Sequence, residues 1–473
     1  MTELSKRKLL GMAAGLGVLP AVARAQSETG QPRVLQGPMV GTVTPHSIAI
    51  WVRVSGEYTV EVEYDASRYF PNPRRTPAIK ATAAMDHCVR IDIPNLAPAS
   101  TYFYRVWVNG RADSYLSRHL PFPVRTAPDE KWRGKFTVAY GSCARYGLNP
   151  EQEIWKGVEE MRPDLFFWIG DNVYIDSRAP GAFAEEYRRQ RDVVLAQPIL
   201  RTVPQLATWD DHDYGLNDHD RTNPMKDDGY RAFTQYWANP SVGTPDAKGV
   251  FFSYTYGGVE FFFLDVRTWR DPNREPDSAT KTMLGALQLA WLKDGLKRSK
   301  AVFKVLLSGS GWSVAKGPGG DSWASYLNER NALFEFIRTN NIPGVVLLSG
   351  DTHTAELNCI PWSEKGGYDL YDLVSSPLAQ PCEDVWINRR PEIRMREAYF
   401  RSENFGFLQF DTAAPGAMVF TVHDSQARSV WHPFTLAVAD LKNGVSSWRD
   451  KIGRKELERH ERWISGGQYY EVR

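Results

Sequence analysis

Between about residues 33 and 128, apolar and polar residues alternate in short runs, as in Ser47–Val52, Tyr58–Tyr64, Cys88–Ile93 and Thr101–Val108. Alternation at period two predicts half-buried strands. Turn residues punctuate the runs at Gly56, Pro71-Asn72-Pro73 and Asn109-Gly110, and no long helical period intervenes. The pattern predicts an antiparallel sandwich of about seven strands. It places no catalytic cluster there. The Pro-rich stretch from Pro121 to Pro128, followed by Asp129-Glu130-Lys131, reads as a junction between domains.

Beyond the junction the period changes. Continuous apolar runs at Phe136–Tyr140, Leu165–Ile169, Phe261–Leu264, Val302–Leu307 and Val345–Leu348 predict strands buried on both faces. Pro150–Met161 and Leu284–Arg298 carry helical spacing between them, so an α/β layered domain is expected. The segments just past these strands carry the chemistry. Gly141-Ser142-Cys143, Gly170-Asp171-Asn172-Val173-Tyr174, Asp265 and Ser349-Gly350-Asp351-Thr352-His353 all stand at strand C-terminal ends. In α/β sheets the crevice lies along that edge, which lets segments remote in sequence converge.

Charge and composition narrow the classes of function. Lys and Arg number 57 against 56 Asp and Glu, a net charge of +1, which argues against a polyanion partner and sequence-specific nucleic-acid binding. With 42% hydrophobic and 24% charged residues over 473 positions, the chain is globular and sized for two or three domains, not disordered or collagen-like. Lys6-Arg7-Lys8, an apolar Leu9–Val22 and Ala23-Arg24-Ala25 read as a signal peptide over residues 1–25. Ser5–Leu10 resembles a twin-arginine signal with Lys in the first Arg place, so Tat or Sec export machinery is the expected partner. The leader is too short for a stable membrane span, and a periplasmic or secreted location is expected. Four cysteines, Cys88, Cys143, Cys359 and Cys382, are too few for a disulfide scaffold, although export would permit a Cys359–Cys382 bridge.

The densest polar segment is Thr208–Asp218, which packs Asp210, Asp211, Asp213 and Asp218 around His212 and Asn217. Acids that close repel unless cations neutralise them. Carboxylates and an amide oxygen suit Ca²⁺, Mg²⁺ or Mn²⁺, whereas the Cys143 thiolate, Tyr174 phenolate and His353 imidazole suit a transition metal. Two different metals are therefore expected. Gly170 permits a sharp turn after its strand, from which Asp171 can bridge the metals and Tyr174 can reach back to one of them. Taken singly, Cys143 reads as a small core residue and the acids as a solvated loop. Trp209 and Tyr214 on either side of the acids argue that the segment is anchored.

In this order, Gly141-Ser142-Cys143, Gly170–Tyr174, Trp209–Asp213 with Asn217, and Gly350–Glu356 give the chain a resemblance to the alkaline phosphatase D family of calcineurin-like metallophosphoesterases. The resemblance covers nearly the whole mature chain. It implies an α+β two-domain fold, with a fibronectin type III-like antiparallel β-sandwich at 33–128 and a four-layer αββα metallophosphoesterase domain at 133–435. A charged C-terminal helix or tail follows at 436–473. It further implies a secreted phosphomonoesterase and phosphodiesterase using Fe³⁺ with one or two Ca²⁺. Carried over residue by residue, iron would take Cys143, Asp171, Tyr174 and His353, and calcium Asp171, Asp211, Asn217 and Asp351, the choice of Asp211 over Asp210 being left to geometry.

Phosphoester cleavage needs charge neutralised on the non-bridging oxygens and a water ionised near neutrality. Two cations roughly 3.5 to 4 Å apart supply both, with a metal-bound hydroxide attacking phosphorus in line. His212 or His353 can protonate the leaving alkoxide, and His212 is preferred because metal can occupy His353. Arg145 and Arg267 read either as bidentate phosphate holders or as structural ion pairs. Two other functions compete. Phospholipase D-type hydrolysis of phospholipid would require an apolar rim beside the crevice, and a calcium-stabilised cell-wall binding module would leave Cys143 and Tyr174 unexplained.

Overall fold

The alternating runs form strands at Ile48–Val54, Thr59–Asp65, Cys88–Ile93 and Thr101–Val108 in the computed structural model, which describes residues 30–385 and 389–467. The leader and its cleavage point lie outside the described residues. Val34–Val43, Ile48–Val54 and Cys88–Ile93 make one antiparallel sheet. Thr59–Asp65, Thr101–Val108, Phe122–Arg125 and three two-residue strands make the second. Alternate residues of both sheets, among them Ile50, Val52, Ile91, Val62 and Tyr104, are buried in a shared core. The sandwich is fastened to the following domain through Asp86, which pairs with Arg53 at 3.0 Å within the sandwich and with Arg188 and Tyr236 across the junction.

In the second domain the chain builds two sheets. Lys135–Gly141, Leu165–Ile169 and Gln205–Thr208 are parallel, and Phe405–Asp411, Ala417–His423 and Phe434–Ala437 extend that sheet antiparallel. The other sheet has Val259–Phe263, Phe303–Ser308, Val345–Ser349 and Leu370–Val374 parallel at its centre, with antiparallel strands outside them. The sheets face each other, since the Phe167 ring meets Phe261 at 4.8 Å and Phe263 at 5.0 Å. On the outer faces, Trp155 of helix Ile154–Met161 packs on Phe166 and Trp168, and Trp291 of helix Gly285–Arg298 packs on Phe262. Burial on both faces explains why these strands read as unbroken apolar runs.

Register brings the strand ends level. Gly141 stands opposite Trp168, Ile169 opposite Thr208 and Ser308 opposite Ser349. The first predicted helix starts at Ile154 and not at Pro150, because Gln152 takes a left-handed conformation (φ 50°) that interrupts helical winding. Near the end of the chain, Arg454–Ile464 is helical and buries Glu456 and His460, with His460 against Trp448.

The Cys359–Cys382 bridge is not formed. Cys359 is fully buried in the strand Glu356–Ile360, Cys382 lies half-buried in a loop, and both are free thiols. No helix among the described residues is long and apolar enough to cross a membrane.

Candidate metal centre

Three of the strands that lead to predicted ligands, Lys135–Gly141, Leu165–Ile169 and Val345–Ser349, turn abruptly at their ends. Cys143, Asp171, Asp351 and His353 have φ of 59°, 50°, 71° and 52°, a left-handed conformation that non-glycine residues adopt at some cost. Gly170 (φ +105°) makes the turn before Asp171, and a Cβ there would lie 2.7 Å from the Asp210 side chain. Gly350 lets the second sheet close on the first, since a Cβ would collide with Ser142.

These turns gather the predicted residues. The Asp171 carboxylate faces two donor sets. Oδ2 accepts from the Cys143 Sγ at 3.4 Å and the Tyr174 hydroxyl at 3.5 Å, and Oδ1 accepts from the His212 backbone N–H at 3.3 Å. His353 Nε2 lies 3.4 Å from the Tyr174 hydroxyl, and its Nδ1 lies 3.3 Å from Glu383. Ligand atoms of Asp171, Asp211 and His212 fall within 4.8 Å of one another, as do those of Asp210, Asp321 and Asp351, and those of Asp211, Asp218 and Asp321. Asn217 is exposed beside this group, and Asp218 is the neighbour whose carboxylate enters it.

Electrostatics make the gathering costly without cations. Burial, together with the charges of Asp211 and Cys143, holds Asp171 well above the usual carboxylate range. Burial pushes the Cys143 thiol up to about 11. Burial also lifts Asp351, against the pull of the Lys316 ammonium that pairs with it. The imidazole of His212 is disfavoured as a cation by burial, yet Asp211, Asp171 and Asp176 outweigh this and raise it to about 10. Asp210 Oδ2 is buried without a hydrogen-bond partner, and Asp211 Oδ1 has only Arg267 at 3.6 Å. A bound cation reverses these penalties, because it favours the deprotonated form of every ligand it touches. The donor set thus fits metal ions, with sulfur, phenol and imidazole on one side of Asp171 and carboxylate oxygens on the other.

Arg145 stands at the mouth, one-third exposed, stacked over the Tyr174 ring at 5.0 Å and paired with Asp176 Oδ2 at 2.6 Å. His212 stacks on Tyr174 with ring centroids 4.1 Å apart, and its Nδ1 lies 3.0 Å from Asp176 Oδ1. Arg267 is different. Its guanidinium is fully buried and committed to Asp210 at 2.5 Å and Asp321 at 2.6 Å, the ion-pair arrangement of the two that its place in the sequence left open.

Three residues joined to the centre carry no mark in the sequence strong enough to single them out. Asp176 lies only two positions past Tyr174, and that proximity to the motif is its one signal. Asp321 and Lys316 come from the loop between the strands Phe303–Ser308 and Val345–Ser349, where no motif marks them.

With this geometry in view, comparison with known proteins gives concordant findings. The PhoD-like phosphatase model matches residues 137–431, more than half of the chain, and the model of its N-terminal domain matches residues 21–128. The chain belongs to the PhoD-like phosphatase family. Alkaline phosphatase D of Bacillus subtilis (strain 168) is 24% identical, the match covering 74% of this chain and 70% of that one. The solved structure of PhoD superposes with a TM-score of 0.65 at 19% identity, over 83% of this chain and 91% of the other. The purple acid phosphatase PPD1 from yellow lupin (Lupinus luteus) seeds superposes with a TM-score of 0.56 at 16% identity, over 89% and 74%. These superpositions support, for this chain, a β-sheet domain followed by a mixed α/β domain. The chain is therefore an enzyme that hydrolyses phosphoester bonds through a metal-binding site, which sets aside the wall-binding module.

Proposed function

We propose that the enzyme is an exported phosphomonoesterase and phosphodiesterase whose centre holds Fe³⁺ on Cys143, Asp171, Tyr174 and His353, and one or two Ca²⁺ on Asp171, Asp211, Asn217 and Asp351. The observation that carries this reading is the two-sidedness of Asp171, whose Oδ2 faces a thiol and a phenol while Oδ1 faces the acidic segment. A carboxylate so placed suits a bridge between a softer and a harder cation. When bound, such cations supply Lewis acidity and an ionised water.

The chain's own residues do the rest. Arg145, accessible at the mouth, holds the substrate phosphate as a planar donor. His212, with Nδ1 held by Asp176, keeps Nε2 for the leaving-group oxygen and gives it a proton. Tyr174 packs against the His212 ring and shields it from bulk water. Asp176 is a positioning residue in this scheme. Asp176→Asn is expected to lower kcat by about 10- to 100-fold with metal content unchanged, as loss of an orienting partner does; metal analysis alongside steady-state kinetics checks this.

Export rests on the sequence of residues 1–25, and family membership is consistent with a periplasmic or secreted enzyme. On the same reading, residues 33–128 form a fibronectin type III-like unit, 133–435 a four-layer αββα catalytic unit and 436–473 a C-terminal appendage.

The test is hydrolysis of bis(4-nitrophenyl) phosphate by the mature protein after chelation, with Ca²⁺ added back alone or with iron. Turnover is expected to vanish on chelation and to return only with both metals. Undiminished turnover by metal-free protein would overturn the proposal. Cys143→Ala is expected to lose iron and turnover while keeping its fold, and normal activity with full iron content would remove Cys143 from the centre.

A further inference from the structure

The metal ligands sit at the C-terminal ends of the parallel strands. At the opposite ends of Leu165–Ile169 and Gln205–Thr208, where Arg162, Pro163, Thr202 and Val203 precede the strands, the catalytic domain and the sandwich enclose a cleft of about 760 Å³. Five residues of strand separate the two places by roughly 16 Å. A volume of this size lies within the range of about 300 to 1,000 Å³ that small molecules occupy. The walls are largely apolar, with Val34, Leu116 and Phe122 from the sandwich and Ile199 and Val203 from the catalytic domain. Tyr115 and Val194, which also line it, are 61% and 77% exposed.

Three of the lining residues, Arg162, Arg191 and Arg201, are arginines without a carboxylate partner within ion-pair distance among the described residues; Arg162 is exposed, whereas the other two are withdrawn from water. Arg201 is half-buried over the Phe122 ring at 5.4 Å, and its Nε has no hydrogen-bond partner. Arg191 is fully buried, stacked on Trp237 at 4.0 Å, and makes one hydrogen bond, from Nη2 to the Tyr236 carbonyl, leaving Nε and Nη1 unsatisfied. The acids nearby do not compensate them. Asp192 accepts from Gln36 and Glu159 is exposed on its helix. Cations removed from water without a counter-ion are expensive, and burial accordingly lowers both arginines. The missing counter-charge and the apolar walls describe one kind of guest.

We propose that this interdomain cleft is a second binding site, separate from the catalytic centre, for a small amphiphilic anion whose aliphatic or aromatic body fills the apolar cleft while its carboxylate, sulfonate or phosphate head meets Arg201. This site goes beyond the phosphoesterase reading, because every cluster able to hold a metal among the described residues lies at the other end of the strands.

The test is fluorescence titration of the folded, metal-loaded enzyme with 8-anilinonaphthalene-1-sulfonate. Saturable binding to one site is expected, undisturbed by saturating inorganic phosphate, and decanoate or decyl phosphate should displace the probe better than neutral decanol. Displacement by one of the two anions alone supports the site and identifies the head it takes. Arg201→Leu is expected to weaken probe binding by about tenfold or more, the loss of a charge-assisted contact. Val194→Asp, a surface change that leaves the fold intact, is expected to weaken it similarly. Both variants should hydrolyse the chromogenic diester as the parent does. Absence of saturable binding, equal binding by the parent and Val194→Asp, competition by inorganic phosphate, or displacement by decanol as strong as by decanoate would each overturn the proposal.

Discussion

Asp171→Asn is expected to lower kcat/KM by about 10³-fold or more, the equivalent of roughly 4 kcal/mol of transition-state stabilisation. The amide keeps the size of the carboxylate and can still accept from the His212 N–H, but it loses the charge both proposed cations share. Stability should move in opposite directions with and without metal. In metal-free protein, burial and the neighbouring charges of Asp211 and Cys143 raise Asp171 above its unfolded value, so the folded state binds more protons than the unfolded one. That contribution is present below the unfolded pKa and is lost as pH rises through the folded one. At neutral pH the chelated parent therefore carries a penalty that asparagine removes, and the chelated variant should melt higher. Added metal should stabilise the parent by about 2.7 kcal/mol per ion at a hundredfold excess over Kd and the variant hardly at all. Thermal melts with chelator and with metal check both signs.

Arg267→Met is expected to destabilise the enzyme by about 3 to 5 kcal/mol, the usual cost of removing one partner from a buried ion pair. Its guanidinium lies between Asp210 and Asp321 and is the largest of the influences, with His212 and the Asp218 backbone N–H, that lower Asp211 against burial. Arg270, bonded to Asp321 and to Asn273, continues the network but does not reach Asp210. Urea unfolding should show the lower midpoint, and the folded fraction should keep its KM. A raised KM at an unchanged midpoint would restore Arg267 as a phosphate holder.

The contrast between Arg267 and Arg145 marks where the sequence stops being legible. Both come shortly after a strand-end motif and both have aromatic side chains within the next few residues, so chain position gives them equal claim to a substrate oxygen. Depth decides between them, and depth depends on Asp321, which arrives from a loop rich in glycine that has no hydrophobic period to read. Strands were the easiest part. Cys88–Ile93, Thr101–Val108 and Leu165–Ile169 keep the bounds the pattern assigns, because alternation or continuous apolarity reports directly on burial of one face or both. The centre was legible in its motifs, since a turn at the end of a buried strand brings the next few side chains to the sheet edge. Residues that support it from loops, such as Asp176, Lys316 and Asp321, were not, because only their tertiary position gives them a role.

The order in which the chain visits its two catalytic sheets bears on how the enzyme is made. Phe136 pairs with Phe410 and Ala144 with Ala379, so the sheet begun first is completed last. A ribosome will have released Cys143, Asp171 and the acidic segment long before Asp351 and His353 exist, and the loop that carries Cys143 lacks its Ala379 bridge until that residue emerges. Such late, long-range pairing folds slowly. The nascent chain therefore spends much of its synthesis with half a binding site exposed, and selective capture of the right ions belongs to the finished polypeptide.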